Sequence, residues 1–400
     1  MNSKGIGGSD AASELAQMRP WADQAPALSA EEFARRITRA RQLMAQTGAE
    51  ALLVDAGPSL RYFTGLSWGA SERLVAMLLL PEGDPVLVAP RFELGSLEAE
   101  LQVPAQIHGW EEHENPHLIL ASLLESARVR HLAIDPALPF VMIERLRRAA
   151  PAVTLSEASA VIDGCRSIKS PAELAIMLQA KNMTLEVQQR AARILRPGIT
   201  AGEVTRFIEN AHRALGAAGN SFCIVEFGEG TSYPHGLPGE RRLGMDEMVL
   251  IDTGCRVQGY SSDITRSYVF GTPTARQRSI WDLEHEAQEA AFMAVRPGVP
   301  CEEIDAAARR VLERAGLGPD YALPGLPHRT GHGIGLSIHE GPYLVRGDTT
   351  PLAPGMCFSN EPMIVLPGAF GVRLEDHFHV TETGAAWFTR PSPAIDAPFG

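Results

Sequence analysis

The sequence predicts two domains, a small α/β domain followed by a larger α+β domain built from two similar halves. Three observations carry this expectation. A chain of 400 residues exceeds one ordinary domain and suits two. Roughly the first 160 residues alternate short apolar runs with helical segments, as α/β layers do. Beyond them, Arg196-Pro197-Gly198-Ile199 recurs as Arg296-Pro297-Gly298-Val299, 100 residues later. The expected division is an N-terminal extension over 1–28, an α/β domain over 29–163 and a second domain over 164–400.

The elements follow in order. The first twenty or so residues carry little apolar pattern and are expected to be poorly ordered or to dock late. Ser29-Ala30-Glu31-Glu32 is a capping box opening a helix to about Gln46, with Phe33, Ile37, Leu43 and Met44 on its apolar face. Ala51–Val54, Leu74–Leu80 and Val86–Val88 read as strands between Gly, Pro and Asp turns. Leu118–Leu124 reads as a helix and His131–Ile134 as a further strand. Ser170-Pro171-Ala172-Glu173 is a second capping box, with proline at the first helical position, opening a long helix to about Leu195. In the repeat, each Arg-Pro-Gly turn stands between two helices, the later ones at 203–215 and 302–315, and each unit ends in strands that carry acidic residues. That shared order implies two halves facing one another.

The acidic strands hold the chemistry. Asp252 closes the apolar run Met248-Val249-Leu250-Ile251, and Asp263 lies eleven residues on, so two joined strands could bring them together. Glu361 interrupts an apolar run between Phe358 and Pro362-Met363-Ile364, and Glu375 alternates with Val372, Leu374, Phe378 and Val380. His332 stands in Gly331-His332-Gly333-Ile334-Gly335, where glycines permit close backbone approach. Carboxylates in buried surroundings are costly unless paired or bound to metal. Four carboxylates and one imidazole form a donor set for two divalent ions.

These motifs, in this order and spacing, resemble the pita-bread metallopeptidases: methionine aminopeptidase, aminopeptidase P and prolidase. The resemblance covers residues 165–400, and the preceding domain points to the branch that cleaves Xaa-Pro bonds, with short bacterial Xaa-Pro dipeptidases most alike. It implies a creatinase-like N-terminal α/β domain and an α+β pita-bread (creatinase/aminopeptidase) catalytic domain with an internal pseudo-two-fold repeat. It implies two divalent ions (manganese, zinc or cobalt) held by Asp252, Asp263, His332, Glu361 and Glu375, with Glu361 also taking the proton of the attacking water. His339 is implied as the histidine that stabilises the tetrahedral oxyanion, His235 as a second substrate-side histidine and His328 as a pocket histidine. Arg373 is implied to orient ligands and to help bind the substrate carboxylate. The expected substrates are small proline-containing peptides, dipeptides in preference. Aminopeptidase P activity on longer peptides is the alternative, and a metal-free creatinase-like hydrolase or a non-catalytic binding module would have eroded ligands. A homodimer is implied by resemblance alone. One departure stands out: family members usually carry a tyrosine after the Glu-Pro motif, where this chain has Val365.

Composition agrees. A formal net charge of −12 argues against a nucleic-acid partner. Five widely spaced cysteines offer neither a zinc spacing nor a disulfide framework, so buried reduced thiols in a cytoplasm are expected. The sequence contains neither a signal-peptide core nor an apolar run of about 18 residues, so no membrane partner is expected. His377, His379, Tyr260 and Phe222 read most simply as packing residues, although the strand period leaves both histidines near the site.

Overall fold

The computed structural model describes residues 5–400. Its backbone divides into two compact units, Ala27–Arg166 and a larger one that joins the segment before Ala27 to Ser167–Gly400. Of the two expectations for the start, disorder or docking, the described part takes docking. Helix α1 (Ala11–Gln17) is capped by Asp10, and Ile6 and Met18 are buried in the same cluster as Phe207 and Val249. Gly7 N–H donates to Ala192 O at 2.9 Å and Trp21 N–H to Leu215 O at 2.9 Å. A few well-spaced apolar side chains suffice to dock a segment that is polar on average.

The smaller unit comprises α2 (Ala30–Thr47), β1 (Ala51–Asp55), α3 (Pro58–Thr64), β2 (Ala76–Leu79), β3 (Val86–Pro90), α4 (Leu94–Glu100), β4 (Gln106–Trp110), α5 (Pro116–Ser126), β5 (His131–Ile134), α6 (Phe140–Ala149), β6 (Thr154–Glu157) and α7 (Ser159–Arg166). Its six strands lie in the order β4-β3-β2-β1-β5-β6. The β1–β2 and β2–β3 pairs are antiparallel, and the outer pairs are parallel. Ser29 caps α2 through Glu32 N–H at 3.3 Å, and Phe33, Ile37, Leu43 and Met44 are buried as their spacing predicts.

The larger unit holds the repeat. Its first half runs α8 (Pro171–Arg193), α9 (Ala201–Ala214), β7 (Asn220–Phe227), β8 (Glu247–Val257), β9 (Tyr260–Ser261) and β10 (Ile264–Phe270). The second runs α10 (Ala275–Ala294), α11 (Cys301–Arg314), β11 (Gly331–Gly333), β12 (Glu340–Leu344), β13 (Cys357–Asn360), β14 (Met363–Leu366), β15 (Phe370–Arg373), β16 (Asp376–Val380) and β17 (Ala385–Trp387). The two sheets run β10-β8-β7 and β12-β11-β13-β16-β17, with β14–β15 as a separate hairpin. Ser170 and Glu173 form the reciprocal capping box at α8. The two Arg-Pro-Gly turns are structural equivalents. Gly198 and Gly298 both take positive φ, 78° and 86°. Their N–H groups donate to Leu243 O at 2.7 Å and Leu352 O at 2.8 Å, and Ala201 and Cys301 repeat the match on Arg241 O and Thr350 O, both at 3.0 Å.

Deep in each half, one helix glutamine stitches two strands together. Gln188 Nε2 donates to Ile251 O (2.9 Å) and Ile264 O (2.8 Å). Gln288 Nε2, 100 residues later in the sequence, donates to Asn360 O (3.2 Å) and Leu374 O (3.1 Å). Across the halves, the fully buried Arg266 pairs bidentately with Asp376 at 2.7 and 3.2 Å. Among the described residues no helix is long and apolar enough to cross a membrane. All five cysteines are free thiols.

Candidate active site

The acidic residues sit where the strand pairs of each half come together. Asp252 lies inside β8, opposite Thr265 of β10, and Asp263 immediately precedes β10. β8 continues to Val257 rather than closing at Asp252. Glu361 follows β13, and Glu375 falls between β15 and β16 instead of inside one alternating strand. Its surroundings are buried on both faces, which is why alternation does not describe them. His332 is on β11, and its flanking glycines are needed for space. A Cβ on Gly331 would lie 2.1 Å from Ser359 O, and one on Gly333 would lie 2.5 Å from Glu340 O.

Five side chains thus converge. His332 Nε2 lies 3.1 Å from Glu361 Oε1 and 3.8 Å from Asp263 Oδ2. Its Nδ1 is 3.0 Å from Gly333 O. A carbonyl oxygen only accepts, so Nδ1 carries the ring proton and Nε2 turns to the carboxylates. Thr265 Oγ1 donates to Glu375 Oε2 at 2.7 Å and accepts from Arg373 Nε at 3.1 Å. Ser359 Oγ donates to Glu361 Oε1 at 3.1 Å while accepting from His332 N–H at 2.9 Å.

The donor set fits a cation. Asp252 Oδ1, Asp263 Oδ1 and Glu375 Oε1 are buried with no hydrogen-bond partner. Donor atoms of His332, Glu361 and Glu375 lie within 4.8 Å of one another, as do those of Asp263, Glu375 and His377 and those of Asp263, His332 and His339. Burial, then the neighbouring carboxylates, push Asp263 and Glu375 well above the usual carboxyl range. Burial also raises Asp252, opposed by Arg373. Burial pushes Glu361 the same way, but the hydrogen bond and charge of His332, with His328 behind them, hold it down to about 2. One arginine among four carboxylates leaves a negative excess that oxygen-bound divalent ions would neutralise.

These groups open on a cavity of 790 Å³ lined by Asp252, Asp263, Glu361, Arg373, His235, His328 and His339. Its apolar wall includes Phe222, Ile224, Pro327, Ile338 and Val345. Phe222, expected in the core, is therefore a wall residue, whereas Tyr260 is buried with its hydroxyl on Glu173 at 2.7 Å. The His339 ring meets the His332 ring edge-on at 4.2 Å. Burial first, then the charges of His332 and Arg329, hold His339 down to about 4, a neutral imidazole. His328 donates from Nδ1 to Arg329 O at 2.7 Å, leaving Nε2 without a partner. Burial lowers its pKa too. Arg373 is committed on three sides: to Asp252 Oδ2 at 2.5 Å, Pro234 O at 3.1 Å and Thr265. It orients Asp252 as expected and still lines the cavity, so a substrate carboxylate would have to share it with these partners. Val365 is buried in the core, with N–H and C=O paired to Gly325.

Several supports escaped sequence reasoning. Asp305 and Arg309 of α11 hold the segment bearing His328: Asp305 accepts Thr330 N–H at 3.0 Å, and Arg309 donates to His328 O at 2.6 Å. Thr330 O in turn accepts Glu361 N–H at 2.8 Å. Glu226 accepts Leu237 N–H at 3.1 Å and so anchors the turn with His235. His377, read as a packing residue, is fully buried with both ring nitrogens unpartnered, its Nε2 3.8 Å from Glu375 Oε1. His379 does pack, its ring centroid 5.2 Å from that of Phe388. The i to i+4 spacing of Asp305 and Arg309 was the one visible signal; the rest depends on contacts distant in sequence.

Comparison with known proteins agrees with this geometry. The Creatinase/Prolidase N-terminal domain matches residues 36–168, and Metallopeptidase family M24 matches residues 175–382. A probable dipeptidase PepE of Mycobacterium tuberculosis is 36% identical over 361 residues, spanning 89% of this chain and 94% of its own. The crystal structure of dipeptidase PepE from Mycobacterium ulcerans superposes with a TM-score of 0.84 at 35% identity, covering 91% of this chain and 97% of that one. A prolidase from Thermococcus sibiricus gives 0.83 at 31% identity, covering 91% and 98%. With a creatinase-type N-terminal domain and a pita-bread domain whose buried carboxylate–histidine clusters can bind metal, the chain belongs to metallopeptidase family M24, in its dipeptidase and prolidase branch.

Proposed function

We propose that the protein is a dinuclear metal-dependent dipeptidase that hydrolyses the Xaa-Pro bond of small proline-containing peptides. Asp252, Asp263, His332, Glu361 and Glu375 would hold two divalent ions (manganese, zinc or cobalt). The observation that carries the reading is the convergence of these side chains, with three carboxylate oxygens lacking any partner, beside a mostly apolar cavity. The names borne by its relatives, dipeptidase and prolidase, support the substrate class.

When bound, such ions lower the pKa of a water and polarise a carbonyl. The protein's own groups do the rest. Glu361, ionised through the neutral range, accepts the proton of the attacking water and returns it to the leaving imino nitrogen of proline. Neutral His339 donates a hydrogen bond to the oxyanion as the carbonyl becomes tetrahedral. His235, on the turn held by Glu226 and Arg373, and His328 contact the substrate. Phe222, Ile224, Ile338 and Val345 exclude water from the apolar side chains.

The test is hydrolysis of an Xaa-Pro dipeptide beside an Xaa-Pro-Yaa tripeptide, after chelation and after manganese or zinc is restored. Metal-restored cleavage mainly of the dipeptide is expected. Cleavage mainly of the tripeptide would move the enzyme to aminopeptidase P activity, and metal-independent cleavage would overturn the site.

A further inference from the structure

Arg329 lines the same cavity. Its guanidinium carbon stands 4.5 Å from the centroid of the Tyr343 ring, and no carboxylate of the described residues lies within ion-pairing distance of it. Its backbone is held firmly on both sides. Arg309 fixes His328 O at 2.6 Å, and Asp305 fixes Thr330 through N–H at 3.0 Å and Oγ1 at 2.8 Å. A guanidinium laid on an aromatic face keeps its N–H edge in the plane of the group, free for a bidentate partner. Arg373 is the cavity's other arginine, and it is spent on Asp252, Pro234 and Thr265.

We propose that Arg329, braced on Tyr343, receives the C-terminal carboxylate of the substrate and thereby selects dipeptides over longer peptides. The inference rests on the peptidase reading above and names its specificity device. In a dipeptide the residue after the scissile bond ends in a carboxylate, whose two oxygens match the guanidinium edge. In a longer peptide the same position is a neutral amide, whose single carbonyl oxygen accepts one N–H but offers neither the second oxygen nor the negative charge, so the guanidinium stays uncompensated. A charged hydrogen bond of this kind discriminates by roughly 10- to 100-fold.

The experiment compares alanyl-proline with alanyl-prolinamide, which differ only in the terminal group, on the manganese-loaded enzyme. The wild type is expected to favour the acid by about 10- to 100-fold in kcat/KM. Arg329→Gln should collapse that ratio toward unity by losing activity on the acid while keeping it on the amide, and Arg329→Lys should restore part of it. Inhibition by free proline should weaken in parallel, while manganese affinity stays unchanged. A damaged fold would lower both substrates together and leave the ratio intact, so the ratio isolates the role. Equal use of acid and amide by the wild type, or a ratio unmoved in Arg329→Gln, overturns the proposal. If neither substrate is cleaved with manganese bound, the peptidase reading itself fails.

Discussion

Thr265 shows how much of a metal-type site depends on a residue that is not a ligand. Its hydroxyl donates to Glu375 and accepts from Arg373, and Arg373 in turn holds Asp252. One small side chain therefore sets the orientation of carboxylates from both halves. Thr265→Val keeps the shape and removes both bonds. It is expected to weaken manganese or zinc binding by about 10- to 100-fold, measured by calorimetry, while the protein stays folded. Affinity within a factor of two of wild type would show that Arg373 alone orients the pair. Glu361→Gln asks a different question, since it keeps the volume but removes the charge. Its kcat for Xaa-Pro hydrolysis should fall by at least about 100-fold with KM nearly unchanged. A change confined to KM would assign Glu361 to binding rather than proton transfer.

At the scale of elements, the strands do not hold the site unaided, because the two helix glutamines tie them. Gln188 joins the carbonyls beside Asp252 and Asp263, and Gln288 those beside Glu361 and Glu375. Replacing either by leucine leaves two buried carbonyls with one partner fewer, and each change should cost about 1–3 kcal/mol. Urea unfolding of the chelated protein measures it, and a single variant as stable as wild type would refute the role. The double variant tests whether the halves act separately, in which case the costs add. The repeat that frames these glutamines was legible because Arg-Pro-Gly needs one turn geometry wherever it occurs, and Gly198 and Gly298 adopt the same positive φ. The five convergent side chains were legible because charge inside an apolar run is rare. What stayed hidden are groups whose meaning lies across the fold. Gln188 reads as an ordinary helix residue, Arg329 as one more charge and Phe222 as core, until the strands and loops around them are in place. Arg373 was legible as a site residue but not in its commitments, since Pro234 and Thr265 are remote from it in sequence.

For the whole molecule, the site is a strain that bound cations would relieve, and pH is the lever that exposes it. In the metal-free protein, burial and mutual repulsion raise Asp263 and Glu375 well above the usual carboxyl range, whereas in the unfolded chain they titrate near about 4. Between those limits the folded state holds more protons than the unfolded state. The contribution of these groups to stability is therefore fully present below the unfolded value and is lost as pH rises through the folded one. A divalent ion displaces those protons, so its binding should release them and tighten as pH rises. At an ion concentration of about 100 times Kd, binding adds about 2.7 kcal/mol to the folded state. With free metal held fixed, the rise in melting temperature on adding manganese to the chelated protein should then be larger at about pH 8 than at about pH 6. Calorimetry in buffers of different ionisation enthalpy should count at least one proton released. A melting gain that shrinks with pH, or no proton release, would mean that the carboxylates are already ionised and balanced without metal, and the two-ion reading of the site would fall with them.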